Sequence, residues 1–359
     1  MCQKGILMKV AFLAPLIVGI VLTSNSVQAH MLHEVHVMAE AHELYPIIEP
    51  YRTTYISVSP IHTLYYAEFG NPDGVPVLVV HGGPGAGCSQ EWSAFFDPAF
   101  YRVIMLDQRG AAKSTPAGEM IDNTPMHLVA DMELLRTELG IDQWILFGGS
   151  WGSALSLLYA EHYPERIGGM VLRGIFLARK VDYEHLFYGM KQFYPEAWDD
   201  FIDTIGASED TDLITLLHEQ LMGSDQSISL RAAHAFMRFD TICGSLLPSP
   251  MSIEEQASDD HSALCIARAF VHYGAHGFFM EENQLLRNID VIQHIPTIIV
   301  QGRYDMICPI QTAYTLYKKL PKAALWVVPD AGHFATEPSL GSTLCYAMEV
   351  MKSFSKKCL

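Results

Sequence analysis

A five-residue run, Gly148-Gly149-Ser150-Trp151-Gly152, lies between a strand-length apolar segment, Trp144–Phe147, and a helix-like one, Ser153–His162. Few folds accommodate that arrangement. A serine placed on a tight turn from strand to helix is forced into a strained backbone. Glycines on either side leave room for the elements that crowd such a turn. The turn also lifts the hydroxyl to the start of a helix, where backbone N–H groups have no partner inside the helix. The run therefore marks Ser150 as a candidate nucleophile and predicts a sheet with a helix leaving it at that point.

The rest of the chain supplies such a sheet. Thr54–Ser59 and Leu64–Phe69 alternate like a hairpin, and Asn71-Pro72-Asp73-Gly74 is a strong turn. Short apolar runs follow at Val77–Val80, Val103–Leu106, Trp144–Phe147, Met170–Leu172, Thr297–Val300 and Leu325–Val328. Helical patterns such as Met126–Leu139 and Ala154–His162 separate the first four of these. Strands alternating with helices predict an α/β protein with a mostly parallel central sheet covered on both faces. From about Arg179 to Asp290 the strand signal is missing, and aromatics, methionines and acids interleave with helical spacing. We therefore expect residues 51–178 and 291–359 to form the catalytic domain and 179–290 an inserted helical cap domain.

Ahead of this lies a segment of another kind. Lys4 and Lys9 precede an apolar run from Val10 to Leu22, and Val27-Gln28-Ala29 offers small residues at the −3 and −1 positions of a cleavage site. That is the form of a secretory signal peptide over 1–29, and the run is short for a membrane span. The expected setting is exported, periplasmic or secreted, with no stable membrane association after cleavage. Residues 30–50 read as a variable extension; His30, His33 and His36 recur there, as they would in a solvated tail. The net charge of −17 argues against a nucleic-acid or anionic-membrane partner, since both demand clustered lysine and arginine. Six cysteines remain beyond the signal: Cys88, Cys243, Cys265, Cys308, Cys345 and Cys358. An exported setting permits disulfides, and a core of this size equally accommodates free buried thiols.

A serine hydroxyl is a weak nucleophile until an imidazole takes its proton and a carboxylate holds the imidazole. On a sheet of this kind the partners follow in the order Ser, Asp, His. Asp305 comes just after Thr297–Val300, and His333 follows Leu325–Val328 in Pro329-Asp330-Ala331-Gly332-His333. Loops at the carboxyl ends of neighbouring strands converge, so both can reach Ser150. Asp330 is a rival acid within the histidine's own loop. The expected oxyanion donors are the backbone N–H groups of Trp151 and of Gly83, the latter in His81-Gly82-Gly83-Pro84-Gly85.

These segments together resemble the proline iminopeptidases, the S33-type peptidases of the α/β-hydrolase fold. The matching stretches are HGGPGAG at 81–87, DQRG at 107–110, GGSWGSALSLLYAEHYPERI at 148–167, VLRGIF at 171–176, QLLRN at 284–288 and GRYD at 302–305. The resemblance implies Ser150, Asp305 and His333 as a triad under a helical cap. It implies no cofactor and no metal, and a peptide substrate with a free N-terminus from which proline is released. It also suggests substrate contacts at Phe176, Cys308 and Asp240. Two glutamates of the family's cap hold the substrate amine. Asp240 stands for the first, on a shorter arm, and Phe270 replaces the second. Glu281, Glu282 or Asp260 are candidates to make good that loss. Two further departures are Ala112, where the family's DQRG loop carries a turn glycine, and Phe334, where a serine commonly follows the histidine. Asp107 and Arg109 are read as loop scaffolding.

The leading expectation is a serine aminopeptidase for N-terminal proline. The missing second acid motivates an alternative on the same machinery, an exported esterase or amidase. A non-catalytic binding protein on this scaffold is the third reading, opposed by the complete triad.

Overall fold

The computed structural model describes residues 35–37, 42–208 and 210–355. The signal-peptide reading, His30, His33 and Cys358 fall outside them. The described residues build one nine-stranded sheet: β1 Val35–Val37, β2 Arg52–Ser57, β3 Thr63–Gly70, β4 Val75–Val80, β5 Tyr101–Leu106, β6 Trp144–Ser150, β7 Ile167–Ile175, β8 Thr297–Gly302 and β9 Ala323–Val328. Their order is β1-β9-β8-β7-β6-β4-β5-β3-β2. All pairs are parallel except β2 with β3 and β3 with β5.

The central strands are apolar throughout because both faces are covered. Leu78, Ile104, Leu146 and Leu172 face a core shared with helices α1 Pro125–Glu138 and α2 Trp151–His162. Val77, Val79, Val103, Ile145 and Val171 face the opposite core, which helix α9 closes. That helix spans Pro338–Ser355 and buries Leu340, Leu344, Met348 and Met351. Each such side chain withdrawn from water contributes about 1.5–3 kcal/mol before the entropy of ordering it.

Between β7 and β8 the described residues hold helices and no strand. The main ones are α3 Pro195–Ile205, α4 Leu213–Met222, α5 Gln226–Gly244, α6 Pro250–Ala257 and α7 Asp260–Ala275; α8 Ile310–Tyr317 then returns to the sheet. The molecule is an α/β hydrolase in architecture, with a mostly parallel sheet and an inserted helical cap. One strand was not foreseen. Val35-His36-Val37, in the segment read as a solvated extension, pairs in parallel with Leu325–Val327 and forms the sheet's outer edge. Cys88, Cys243, Cys265, Cys308 and Cys345 are free thiols.

Candidate active site

Strand β6 runs straight into α2 through Ser150, whose backbone sits at φ 57°, ψ −125°. A side-chain-bearing residue pays a strain of order 1–3 kcal/mol for such a conformation, so the surrounding packing has to impose it. Gly152 shows how: a Cβ there would run into the carbonyl of Val80 and lie 2.9 Å from that of His81. The helix can start only because β4 and its loop press against a bare glycine. Ser153 Oγ donates to Ser150 O at 2.7 Å and accepts from Phe176 N at 3.0 Å, which links the elbow to the end of VLRGIF.

The structure brings His333 and Asp305 together. His333 Nδ1 lies 3.0 and 2.9 Å from the two oxygens of Asp305, and both side chains are buried. The aspartate is held in turn. Cys308 N donates to Oδ1 at 2.8 Å, and Gln301 Nε2 donates to Oδ2 at 3.1 Å. Gln301 also donates to Cys308 O and accepts from Ile175 N, so it joins β7 and β8 beneath the pair. A carboxylate so supplied stays an acceptor, which places a proton on Nδ1 and leaves Nε2 free to act as a base. The rival Asp330 instead accepts from Ser339 Oγ at 2.8 Å.

The histidine's loop is tied to the cap. His333 N donates to Gly244 O, at the C-terminal end of α5, at 2.9 Å. Glu337 accepts from Gly332 N at 2.5 Å and from Leu246 N at 3.0 Å. Arg173 Nη1 donates to His333 O at 2.6 Å from below. Burial lowers the pKa of this guanidinium, which Asp305 partly offsets.

The loop after β4 faces the elbow. Gly82, Gly83, Ser150 and Trp151 line one cavity, and a Cβ on Gly82 would lie 3.2 Å from Ser150 Cβ. His81 fixes this loop: Gln108 N donates to its Nε2 at 2.9 Å, and its Nδ1 lies 2.9 Å from Gly82 O. Burial lowers the His81 pKa, so the ring is a neutral scaffold. Gln108 further accepts from Trp151 Nε1 at 3.0 Å. The DQRG loop is scaffold as well. Asp107 receives Cys88 N and Lys113 N, and Arg109 forms a bidentate buried pair with Asp131 at 2.6 and 2.7 Å. Ala112 adopts φ +42°, so the position still requires the left-handed turn although its glycine is gone.

The cavity measures about 240 Å³, and its lining includes Phe176, Cys308, Asp240 and His333. Phe176, Leu186, Phe236 and Phe270 close its inner end. Phe270 packs against Phe187, Phe236 and Phe278 at centroid distances of 5.5, 5.4 and 5.9 Å. The position expected to hold a second acid is thus the centre of an aromatic cluster. The Asp240 carboxyl has no hydrogen-bond or ion-pair partner among the described residues, and burial raises it to about 6, tempered by His333.

The proposed replacements are elsewhere. Glu281 pairs with Arg287 at 2.5 Å, Glu282 accepts from Lys180 N, and Asp260 pairs with His234 at 2.8 Å; none lines the cavity. Exposed charges settle on the nearest surface partner, and sequence spacing does not show which those are. Asp182, which was not anticipated, does line the cavity. Its carboxylate is already taken by Arg179 at 2.6 and 2.9 Å. Gln301, Arg173 and Glu337 were also missed, since each acts across long stretches of sequence; the arginine of VLRGIF was the one visible sign.

A nucleophile elbow, a buried His–Asp pair and a covered pocket over a mostly parallel sheet define the class. The family model described as alpha/beta hydrolase fold matches residues 75–338, and the chain is an α/β hydrolase. Among solved structures, an esterase from Exiguobacterium antarcticum shares this fold with a TM-score of 0.59 at 18% identity, covering 84% of this chain and all of that one. A proline iminopeptidase-related protein from Thermus thermophilus gives 0.55 at 20% identity, covering 86% and 99%. Sequence relatives are nearer. A proline iminopeptidase of Arabidopsis thaliana is 43% identical over 324 residues, 89% of this chain and 85% of its own length. One of Neisseria meningitidis is 45% identical over 309 residues, 85% and 98% respectively. The chain belongs to the proline iminopeptidase family.

Proposed function

We propose that the protein is a serine aminopeptidase that releases N-terminal proline from peptides. The observation that carries this reading is an unpaired carboxylate, Asp240, set in an aromatic pocket beside the His333–Asp305 pair and Ser150. A buried ammonium needs an anion, because leaving it unpaired costs several kcal/mol. The flat walls offered by Phe176 and Phe270 suit a pyrrolidine ring.

In this mechanism Ser150 Oγ attacks the carbonyl carbon of the N-terminal residue while His333 Nε2 takes the hydroxyl proton. The N–H groups of Gly83 and Trp151 receive the developing oxyanion. Each such donor is worth on the order of a hundredfold in rate. His333 passes its proton to the leaving amine as the C–N bond breaks, and a prolyl ester remains on Ser150. Water attacks that ester and gives a proton to His333, which returns it to Ser150 Oγ as the ester C–O bond breaks, freeing proline and the serine. Asp305 stabilises the imidazolium in both halves and keeps its tautomer. Cys308 lies against Ser150 as a neutral wall, since burial pushes its thiol well up.

A second reading is favoured by Phe270. With one acid in place of two, the same machinery would suit an esterase or amidase that ignores the amine. Proline arylamide with a free and with an acetylated amine, and a short-chain nitrophenyl ester, separate the two. The aminopeptidase reading expects turnover of the free amine only, abolished in Ser150→Ala. Equal turnover of free and blocked proline would overturn it.

The exported setting rests on residues 1–29 alone. Among the described residues no helix is long and apolar enough to cross a membrane. Amino-terminal sequencing of the mature protein checks the reading; a start at His30 supports it, and a retained Met1 contradicts it.

A further inference from the structure

Helix α5 contributes Phe236, Met237 and Asp240 to the lining of the substrate cavity. Phe236 and Met237 come first and Asp240 one turn later; Gly244, one turn beyond and itself outside the lining, lies against Phe334, which lines the cavity, each turn advancing roughly 5–6 Å. At the Phe236 end the lining is buried: Phe236 is 2% exposed and Phe270 8%. Toward the Gly244 end the lining includes Phe334, which packs against that glycine, and Phe334 and Trp92 are both partly exposed. An aminopeptidase must bury the first residue and let the remaining peptide leave. The substrate therefore lies with its amine at Asp240 and its second residue toward Gly244.

Phe334 is built into that end. It directly follows His333, and the two rings meet edge to face at 5.9 Å. The imidazole has to hand its proton to the leaving nitrogen, so a ring against it also borders the leaving group. Its place is reserved by α5: a Cβ on Gly244 would lie 2.8 Å from both Cε2 and Cζ of Phe334. A large residue on the loop is matched by the absence of one on the helix.

We propose that Phe334, with Trp92 of the same cavity lining, forms an apolar subsite for the residue that follows the released one, so that the enzyme prefers peptides whose second residue is large and apolar. The inference rests on the aminopeptidase reading.

The test compares kcat/KM for Pro-Phe-amide and Pro-Gly-amide, with free proline as the readout. Burying a phenyl group against two rings predicts a preference of roughly tenfold or more for Pro-Phe-amide in the wild type. Phe334→Ser is expected to bring the ratio close to one and Phe334→Tyr to keep it. Gly244→Ala, which drives a methyl group into the ring, is expected to lower the ratio as well, and serves if Phe334→Ser does not fold. A wild-type ratio near one overturns the subsite, as does a Phe334→Ser enzyme that keeps the wild-type ratio. Release of proline from both amides at equal efficiency would leave the aminopeptidase reading intact and remove only the subsite. Release from neither would remove both.

Discussion

Asp240 is asked to be an anion in a place that resists one. Burial raises its carboxyl to about 6, and His333 and Asp305 pull that value in opposite directions. For binding, the sign on the proposed reading is simple: above about 6 the carboxylate is available to pair with the substrate ammonium, and as pH falls through 6 that partner is lost. KM for proline arylamide is expected to rise below pH 6 in steady-state assays, and in Asp240→Asn to be high and flat across that range. For stability the sign is reversed. A carboxyl whose folded pKa exceeds its unfolded value of about 3.9 holds its proton more tightly in the fold. It therefore disfavours the fold at neutral pH, and the penalty fades as pH drops from about 6 toward 4. Asp240→Asn should bind worse and melt higher at pH 7, a combination that a merely damaged protein would not show. Gly174 presents a steric case. At φ +50° it lies beneath the pair, and a Cβ would come within 3.0 Å of His333 Cε1 and 3.2 Å of Asp305 Oδ2. Gly174→Ala is expected to cost about 1–2 kcal/mol from backbone strain alone. Displacing the imidazole should lower kcat on the order of a hundredfold, measured beside a denaturation curve.

At the scale of elements, the cap and the histidine's loop are joined by three contacts at the end of α5. These are His333 N to Gly244 O, Leu246 N to Glu337, and Phe334 on Gly244. Bonds to a charged acceptor contribute about 1.5–3 kcal/mol each. Glu337→Ala is expected to lower kcat by roughly tenfold or more, as the loop loses its fixed place. Hydrogen exchange should then speed up at Leu246 and His333 together; loss of protection at only one of them would show that the link is not mechanical. This level also shows what could be read from residues alone. The elbow was legible because contact distances dictate its glycines, and the strands because burial on both faces leaves them apolar. Gln301 and Glu337 were not, since a polar residue declares its partner only when distant strands are brought together. The same holds for Glu281, Glu282 and Asp260, whose partners are surface accidents of the fold. Asp240 and Phe270 were placed by spacing, but that one is unpaired and the other central to an aromatic cluster depends on packing.

Across the whole molecule the least legible part is β1. Three residues with Val35 and Val37 48% and 62% exposed bury too little to leave a pattern. Their contribution is to cover β9, whose six residues are all buried. An uncovered apolar edge invites pairing with another copy. Starting the chain at His42 is expected to lower Tm by several degrees and to promote association on size-exclusion chromatography. The remaining monomer should still cleave proline arylamide, because no residue of β1 lines the cavity.

That pairing also has a consequence in time. Val35 sits opposite Leu325, so β1, the first strand among the described residues, has nothing to hold until β9 has been made. Contacts this distant in sequence are slow to form. The sheet can assemble strand by strand, but its β1 edge can close only after β9 has formed. Should the chain cross a membrane by threading from its first residues, it would travel with that seam open and close it only on the far side.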